Sequence, residues 1–430
     1  MTRFDEVLGE TLRHVEAAAF ALYLQSATII RDLQGRVRLV LELQRGHGLA
    51  DADRQALAQS LDAALGPYWG GQIWQQGKRQ DATYRALEAQ INSQRQLWAG
   101  APTTRGLTWY KLERTFSKSA WLSDTAQPPW DLDDPVHPAL VAFYSFKGGV
   151  GRTTALATVA FLLARAGRRV AVLDLDLEAP GLGALLLTGI APPDMGVVDY
   201  LLEVELTGRA PVTLTPDYAV IQNEQSLIGD GPGIIVLPAG RTNAAFLEKI
   251  ARLDFEKFVT QPHNPLVQLL EQIRATYTPH FILLDVRSGL HDLGGLSLNG
   301  LSHLDVLFGL DTVQSWEGLS VVLPLLGART QRREVLLVHA MVTPARYDPD
   351  ANERFRRHAF DLFHDFYYRD DEDMPNPMAE DAPYGIPIPY TDDLLNLSDL
   401  TGVTTLLTVP QGPYQRLARL IGTYLARETV

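Results

Sequence analysis

One segment constrains this chain more than any other. The run ALVAFYSF (139–146) is apolar without interruption and leads straight into KGGVGRTT (147–154), where Gly148, Gly149 and Gly151 cluster ahead of a helix-like stretch. An uninterrupted apolar run buries both faces, as a strand does inside a parallel sheet. A glycine loop between such a strand and a helix can turn its backbone N–H groups inward with no side chain over them, which suits a phosphate group. The helix start adds further N–H groups and the positive end of its dipole. Thr153 stands where a hydroxyl can bind magnesium, and Lys147 and Arg152 flank the glycines with positive charge. The usual phosphate loop carries lysine before its Ser/Thr; arginine holds that position here. The residues expected to bind nucleotide are therefore Lys147, Gly148, Gly149, Val150, Gly151, Arg152, Thr153 and Thr154.

The downstream texture agrees. Short runs, apolar on both faces, recur at RVAVLDLD (169–176), GIIVLPA (233–239), HFILLDV (280–286), DVLFGLD (305–311) and EVLLVHAMV (334–342), separated by helical segments. That pattern predicts an α/β fold, a mostly parallel sheet with helices on both faces. TLLTVP (405–410) reads as one more strand, and a last helix runs from about Pro413 to Arg427, completing the α/β layer rather than binding a membrane. An acidic, proline-rich insert at about 369–385 reads as a mobile loop. The aromatic-rich stretch before it, Glu353–Tyr368, reads as a helix packed on the sheet.

The front of the chain reads differently. Helical spacing over 4–25 is followed by two β-like runs, 27–32 and 36–43, with Gly35 at the turn. A helix from Asp51 to about Leu65, a strand at 70–75, a helix over 81–98 and a strand over 109–117 complete a small α+β domain, residues 1–123. A Pro/Asp-rich linker, 124–138, separates it from the domain at 139–430.

Composition narrows the classes. The formal charge of −13 argues against diffuse nucleic-acid binding, which depends on Lys and Arg neutralising phosphates. With no cysteine, the chain forms no disulfide, zinc–thiolate site or iron–sulfur cluster of its own. The acidic N-terminus does not read as a signal peptide, and no apolar stretch is long enough to span a membrane, so a cytoplasmic protein is expected. The histidines show no metal-ligand spacing, and Ser288 lacks a nucleophile-elbow context.

On these residues the chain resembles the ParA/MinD class of P-loop ATPases. KGGVGRTT is similar to its deviant Walker A motif, in a variant branch with arginine as the second basic residue. DLDLEAPGL (174–182) looks like switch I, and FILLDVRSGL (281–290) looks like the Walker B strand with switch II. The resemblance covers about 139–430. It implies ATP and Mg2+ as ligands. It further implies that Lys147 reaches the phosphates of a partner subunit, that Thr153 and Asp285 serve the magnesium ion with Asp174 near its water shell, and that Asp176 positions the attacking water. Glu178, Arg287 and Gly289 would then be switch residues, Gly289 sensing the γ-phosphate. Arg287 either compensates near that phosphate or pairs with Asp176 or Glu178. Lys147, Asp176 and Arg152 form the implied catalytic set.

Two readings follow. The first is a slow ATPase acting as a nucleotide-dependent homodimerisation switch, signalling to its N-terminal domain or to an unidentified protein partner. The arginine-bearing branch implies a prokaryotic regulatory or defence setting. The second is a nucleotide-binding scaffold with little hydrolysis, because arginine is larger and more rigid than the lysine it replaces. No guanine-reading motif follows a late strand, and HAMVTPARYD (339–348) offers no clear adenine contact.

Overall fold

The computed structural model describes residues 2–77, 82–98, 100–101, 106–123, 127–260, 264–328, 334–344, 346–368, 374–390, 401–408 and 412–425. The chain divides into two compact units, Met1–Phe116 and Ser117–Val430.

The first unit holds β1 (Leu24–Arg31), β2 (Val37–Leu43), β3 (Trp69–Gln75), β4 (Gln96–Leu97) and β5 (Thr108–Glu113), in the spatial order β3-β2-β1-β5-β4. β1 and β2 form an antiparallel hairpin, and Gly35 supplies the positive φ its turn needs. Helices Val7–Glu16 and Asp51–Leu65 cover one face, where Val7, Val15, Leu57 and Leu61 meet Ile29, Leu39 and Leu41. On the other face Ile91, from helix Ala82–Gln94, meets Ile30, Val40 and Leu112. The helix expected over 4–25 is shorter: it stops at Glu16, a 3-10 turn follows, and β1 begins at Leu24. Phe20 turns into the core while Leu22 faces out, so the apolar stripe does not continue.

The second unit is built on β6 (Ala139–Ser145), β7 (Val170–Leu175), β8 (Val220–Gln222), β9 (Ile234–Leu237), β10 (Phe281–Val286), β11 (Leu304–Gly309), β12 (Glu334–Val342) and β13 (Ile386–Pro389). Their order is β13-β12-β11-β6-β10-β7-β9-β8, parallel except for β8, which runs antiparallel to β9. β6 explains the unbroken apolar run of the sequence. Leu140, Ala142 and Tyr144 pack into the layer of helices Pro265–Tyr277 and Val313–Gly327. Ala139, Val141 and Phe143 pack into the opposite layer, formed by helices Arg152–Arg165 and Pro413–Tyr424. The fold is therefore the expected α/β sheet between two helical layers, with the end of β6 opening onto the crevice beyond the strands' carboxyl ends.

Three local expectations are corrected. TLLTVP is not a strand: residues 405–408 belong to helix Thr401–Thr408, whose Val403 and Leu407 are buried in the layer beside helix Arg152–Arg165, and 409–410 lie outside the described residues. Tertiary packing overrides the β-branched composition there. β13 was not anticipated, because Pro387 and Pro389 disguise it, yet proline is tolerated in an edge strand. Within the acidic insert, 369–373 lie outside the described residues, but 374–385 pack onto the domain: Tyr384 is fully buried and Arg356 donates to the carbonyls of Tyr384 and Ala379.

The described part of the Pro/Asp-rich stretch, 127–138, lies in the second unit. Trp130 is buried there, donating from Nε1 to the Pro138 carbonyl at 2.7 Å, while the His303 ring meets the Trp130 carbonyl at 2.8 Å. Among the described residues no helix is long and apolar enough to cross a membrane.

Candidate nucleotide site

The loop between β6 and helix Arg152–Arg165 takes its shape from two glycines. Gly149 and Gly151 have φ of 75° and 81°, a conformation that L side chains avoid. A Cβ at either would meet no atom within 4 Å, so the loop encloses open space rather than packing. Val150 is buried and anchors the loop, and the helix behind it is buried along Ala155–Ala164. The loop forms one wall of a pocket of about 520 Å³, lined by Gly148 through Thr154 together with Ser145, Asp176, Ala179 and Ser288. Its far wall is Met341, Ile388, Pro389, Tyr390 and Tyr414. Lys147 lies outside this lining; it is exposed and has no side-chain partner among the described residues.

At the mouth of the loop, the ends of β7 and β10 stand side by side, with Asp285 in register with Asp174. Arg152 donates from Nε to Asp285 Oδ1 at 2.6 Å and from Nη2 to Asp176 Oδ2 at 3.0 Å. Thr153 Oγ donates to the other Asp285 oxygen at 2.7 Å. Arg152, Asp176 and Asp285 are largely or wholly buried, so each charge depends on the others. Burial pushes the Asp285 carboxyl above the ordinary range, against the pull of Arg152 and Thr153. Burial also works against the Arg152 charge, but Asp285 and Asp176 outweigh it and hold the guanidinium above its usual value.

Asp174 sits apart from this cluster. Its oxygens accept from the backbone N–H groups of Asp176 and Leu182, at 3.2 and 3.0 Å, which shapes the turn after β7. It lines a different cavity, beside Pro180, Gly183 and Pro238. Burial, then the neighbouring Asp285 and Asp176, pushes its carboxyl up to about 8.

The two acidic segments are latched to each other. Arg287 Nη1 lies 2.8 Å from Glu178 Oε2 and 3.9 Å from Asp176 Oδ1, as ion contacts. His291 meets Glu178 Oε1 at 3.1 Å. Gly289, with φ of 75°, donates its N–H to the Ser145 carbonyl at 3.1 Å and accepts from the Tyr144 hydroxyl on its own carbonyl, also at 3.1 Å. Of these residues, Gly289 bonds to Ser145, at the start of the glycine loop, while Glu178 and Arg287 pair with each other.

Sequence reasoning missed the pocket's far wall. Met341 sits at a bulge between Ala340 and Val342, where β12 pairs with β13, and has φ of 51°. Tyr390 follows β13, and Tyr414 opens the last helix. The repeated prolines of GIPIPY were the available signal, pointing to an edge strand at the crevice.

Residues 141–354 match the family described as the CobQ/CobB/MinD/ParA nucleotide binding domain. An uncharacterized ATP-binding protein of Methanocaldococcus jannaschii is 35% identical over 133 residues, which is 30% of this chain and 42% of that protein, so the chain spans less than half of that relative's length. Among solved structures, the ParA family ATPase of Chlorobium tepidum is similar at 16% identity, with a TM-score of 0.44, over 68% of this chain and 99% of that one. The septum site-determining protein MinD of Pyrococcus horikoshii, complexed with Mg-ADP, is similar at 20% identity, with a TM-score of 0.42, over 67% and 96%.

Proposed function

We propose that this chain, whose residues 141–354 belong to the CobQ/CobB/MinD/ParA nucleotide-binding family, is a slow, magnesium-dependent ATPase that works as a dimerisation switch. The observation that carries the reading is the lining of the glycine pocket by Arg152, Thr153 and Asp176, with the buried Asp285 bonded to Arg152 and Thr153 behind it.

The donor set fits magnesium. A threonine hydroxyl and a carboxylate 2.7 Å apart are hard oxygen donors, and magnesium commonly takes only one or two such groups from protein, with phosphate and water supplying the rest. Thr153 and Asp285 would hold it, and the ion would neutralise charge on the β- and γ-phosphoryl oxygens. The backbone N–H groups of 148–154 bind the phosphates, and Met341, Pro389 and Tyr390 enclose the base end of the pocket. Asp176 orients the attacking water and receives its proton. Arg152 leaves its carboxylate partners to grip phosphate oxygens, for which its planar fork is suited. That exchange of partners has a cost, which is why turnover is slow. Lys147, exposed beside the loop, reaches the phosphates bound by a second copy. The switch reports to the first unit or to a protein partner, in a prokaryotic regulatory or defence setting.

The test is an ATP titration with magnesium, paired with phosphate release, for wild type, Asp285→Ala and Asp176→Ala. Wild type is expected to bind and turn over slowly, Asp285→Ala to lose magnesium-dependent binding, and Asp176→Ala to bind without turnover. A wild type that binds no ATP rejects the reading; wild-type turnover in Asp176→Ala rejects the role given to that residue.

A further inference from the structure

The segment by which the chain enters the second unit, residues 117–123, is seated on the residues that follow β10. Lys118 has φ of 72°, unusual for a residue with a side chain, and Asp292 holds it from both sides, accepting from the Lys118 N–H at 2.7 Å and from Nζ at 3.2 Å. Trp121 donates from Nε1 to the His291 carbonyl at 2.7 Å. Its ring occupies the space that side chains at Gly294 and Gly295 would need: a Cβ there would come within 3.0 and 2.7 Å of it. The same ring meets Tyr144 edge-on, with centroids 5.9 Å apart, and the Tyr144 hydroxyl donates to the Gly289 carbonyl. Asn299 is buried in a π-helical turn, a rare geometry that recurs at functional sites. Its amide donates to the carbonyls of Ala120, Trp121 and Ser123, at 2.7, 3.1 and 2.9 Å.

A linker that only spanned two units would not need a left-handed lysine, a buried tryptophan and a dedicated asparagine. The Ser119 N–H donates to Glu256 Oε1 at 3.0 Å, and the other contacts named fall on residues 289–299 or on Tyr144, beside the latch formed by Glu178, Arg287 and His291. We infer that residues 117–123 are the output element of the nucleotide switch. Movement of Gly289–His291 on ATP binding unseats Trp121 from them. This rests on the nucleotide reading above and names the element through which it acts. Coupling between two sites is reciprocal, so loosening the segment must also favour ATP binding.

The test is hydrogen–deuterium exchange on the full chain, with and without magnesium and a slowly hydrolysed ATP analogue. Binding is read at 147–154 and output at 117–123 in the same samples. Exchange at 117–123 is expected to rise by about fivefold or more while 147–154 becomes protected. Protection of 147–154 with no change at 117–123 overturns the inference and leaves the nucleotide reading standing. No change at either overturns both. Lys118→Ala removes only a half-exposed ion pair and keeps the core intact, and Trp121→Phe removes the bond to His291 while keeping an aromatic ring. Each is expected to bind the analogue about threefold or more tightly; wild-type affinity in both overturns the inference.

Discussion

Arg152 donates to Asp285 across 2.6 Å, although the two residues stand 133 positions apart in the chain. The arginine that distinguishes this glycine loop therefore closes on the carboxylate assigned to magnesium, and its second arm reaches Asp176, the carboxylate assigned to water. A guanidinium thus supplies positive charge to both acids.

Removing that charge should be costly before any ligand is added. Arg152→Ala leaves Asp285 buried without its cation and Asp176 with only the 3.9 Å contact to Arg287, and loss of one partner from a buried pair costs about 3–5 kcal/mol. Arg152→Lys cannot span both carboxylates as the fork does, so it should lose less. Urea unfolding of the nucleotide-free chain measures both; an Arg152→Ala variant as stable as wild type contradicts the pairing.

The glycines should tolerate substitution structurally better than functionally. Gly151→Ala meets no neighbour, so its structural cost is the left-handed backbone, about 1–3 kcal/mol. Its methyl group, however, enters the open space that the phosphates need. ATP affinity, read by titration, is expected to fall about tenfold or more at a stability loss of that size.

Acidity offers a separate handle through Asp174, whose carboxyl is pushed up to about 8 by burial and then by its acidic neighbours. The folded chain holds this proton more tightly than the unfolded one, so the contribution to stability is full below the unfolded carboxylate value. It is lost as pH rises through about 8. In nucleotide-free protein with chelator, the melting temperature should fall between pH 5 and pH 8.5 by about 2 °C or more. Asp174→Asn should flatten that slope, even though one of the two N–H donors then loses its acceptor.

Much of this architecture was legible because its signals are local. The strand–glycine–helix unit at 139–165 and the acidic strand ends at 174–176 and 285 each sit within a few residues of their own cause. What escaped depends on distant partners. Nothing around Arg152 says that it turns toward Asp285 rather than into the loop, and nothing around Asp174 says that the Leu182 N–H will hold it. The pocket's far wall joins Met341, Tyr390 and Tyr414, which only the pairing of β12 with β13 and the packing of the last helix bring together. Residues 405–408 show the converse, a strand-like composition drawn into a helix by the layer it completes.

The central claim is that nucleotide sets the association state of this chain, and analytical ultracentrifugation of the full chain with magnesium tests it most directly. Lys147 is exposed and without a side-chain partner among the described residues, so Lys147→Ala should leave stability within about 0.5 kcal/mol of wild type. Wild type is expected to double in mass with a slowly hydrolysed ATP analogue and to stay single with ADP, while Lys147→Ala stays single with either. A wild type whose mass is the same with no nucleotide, ADP and the ATP analogue contradicts the account.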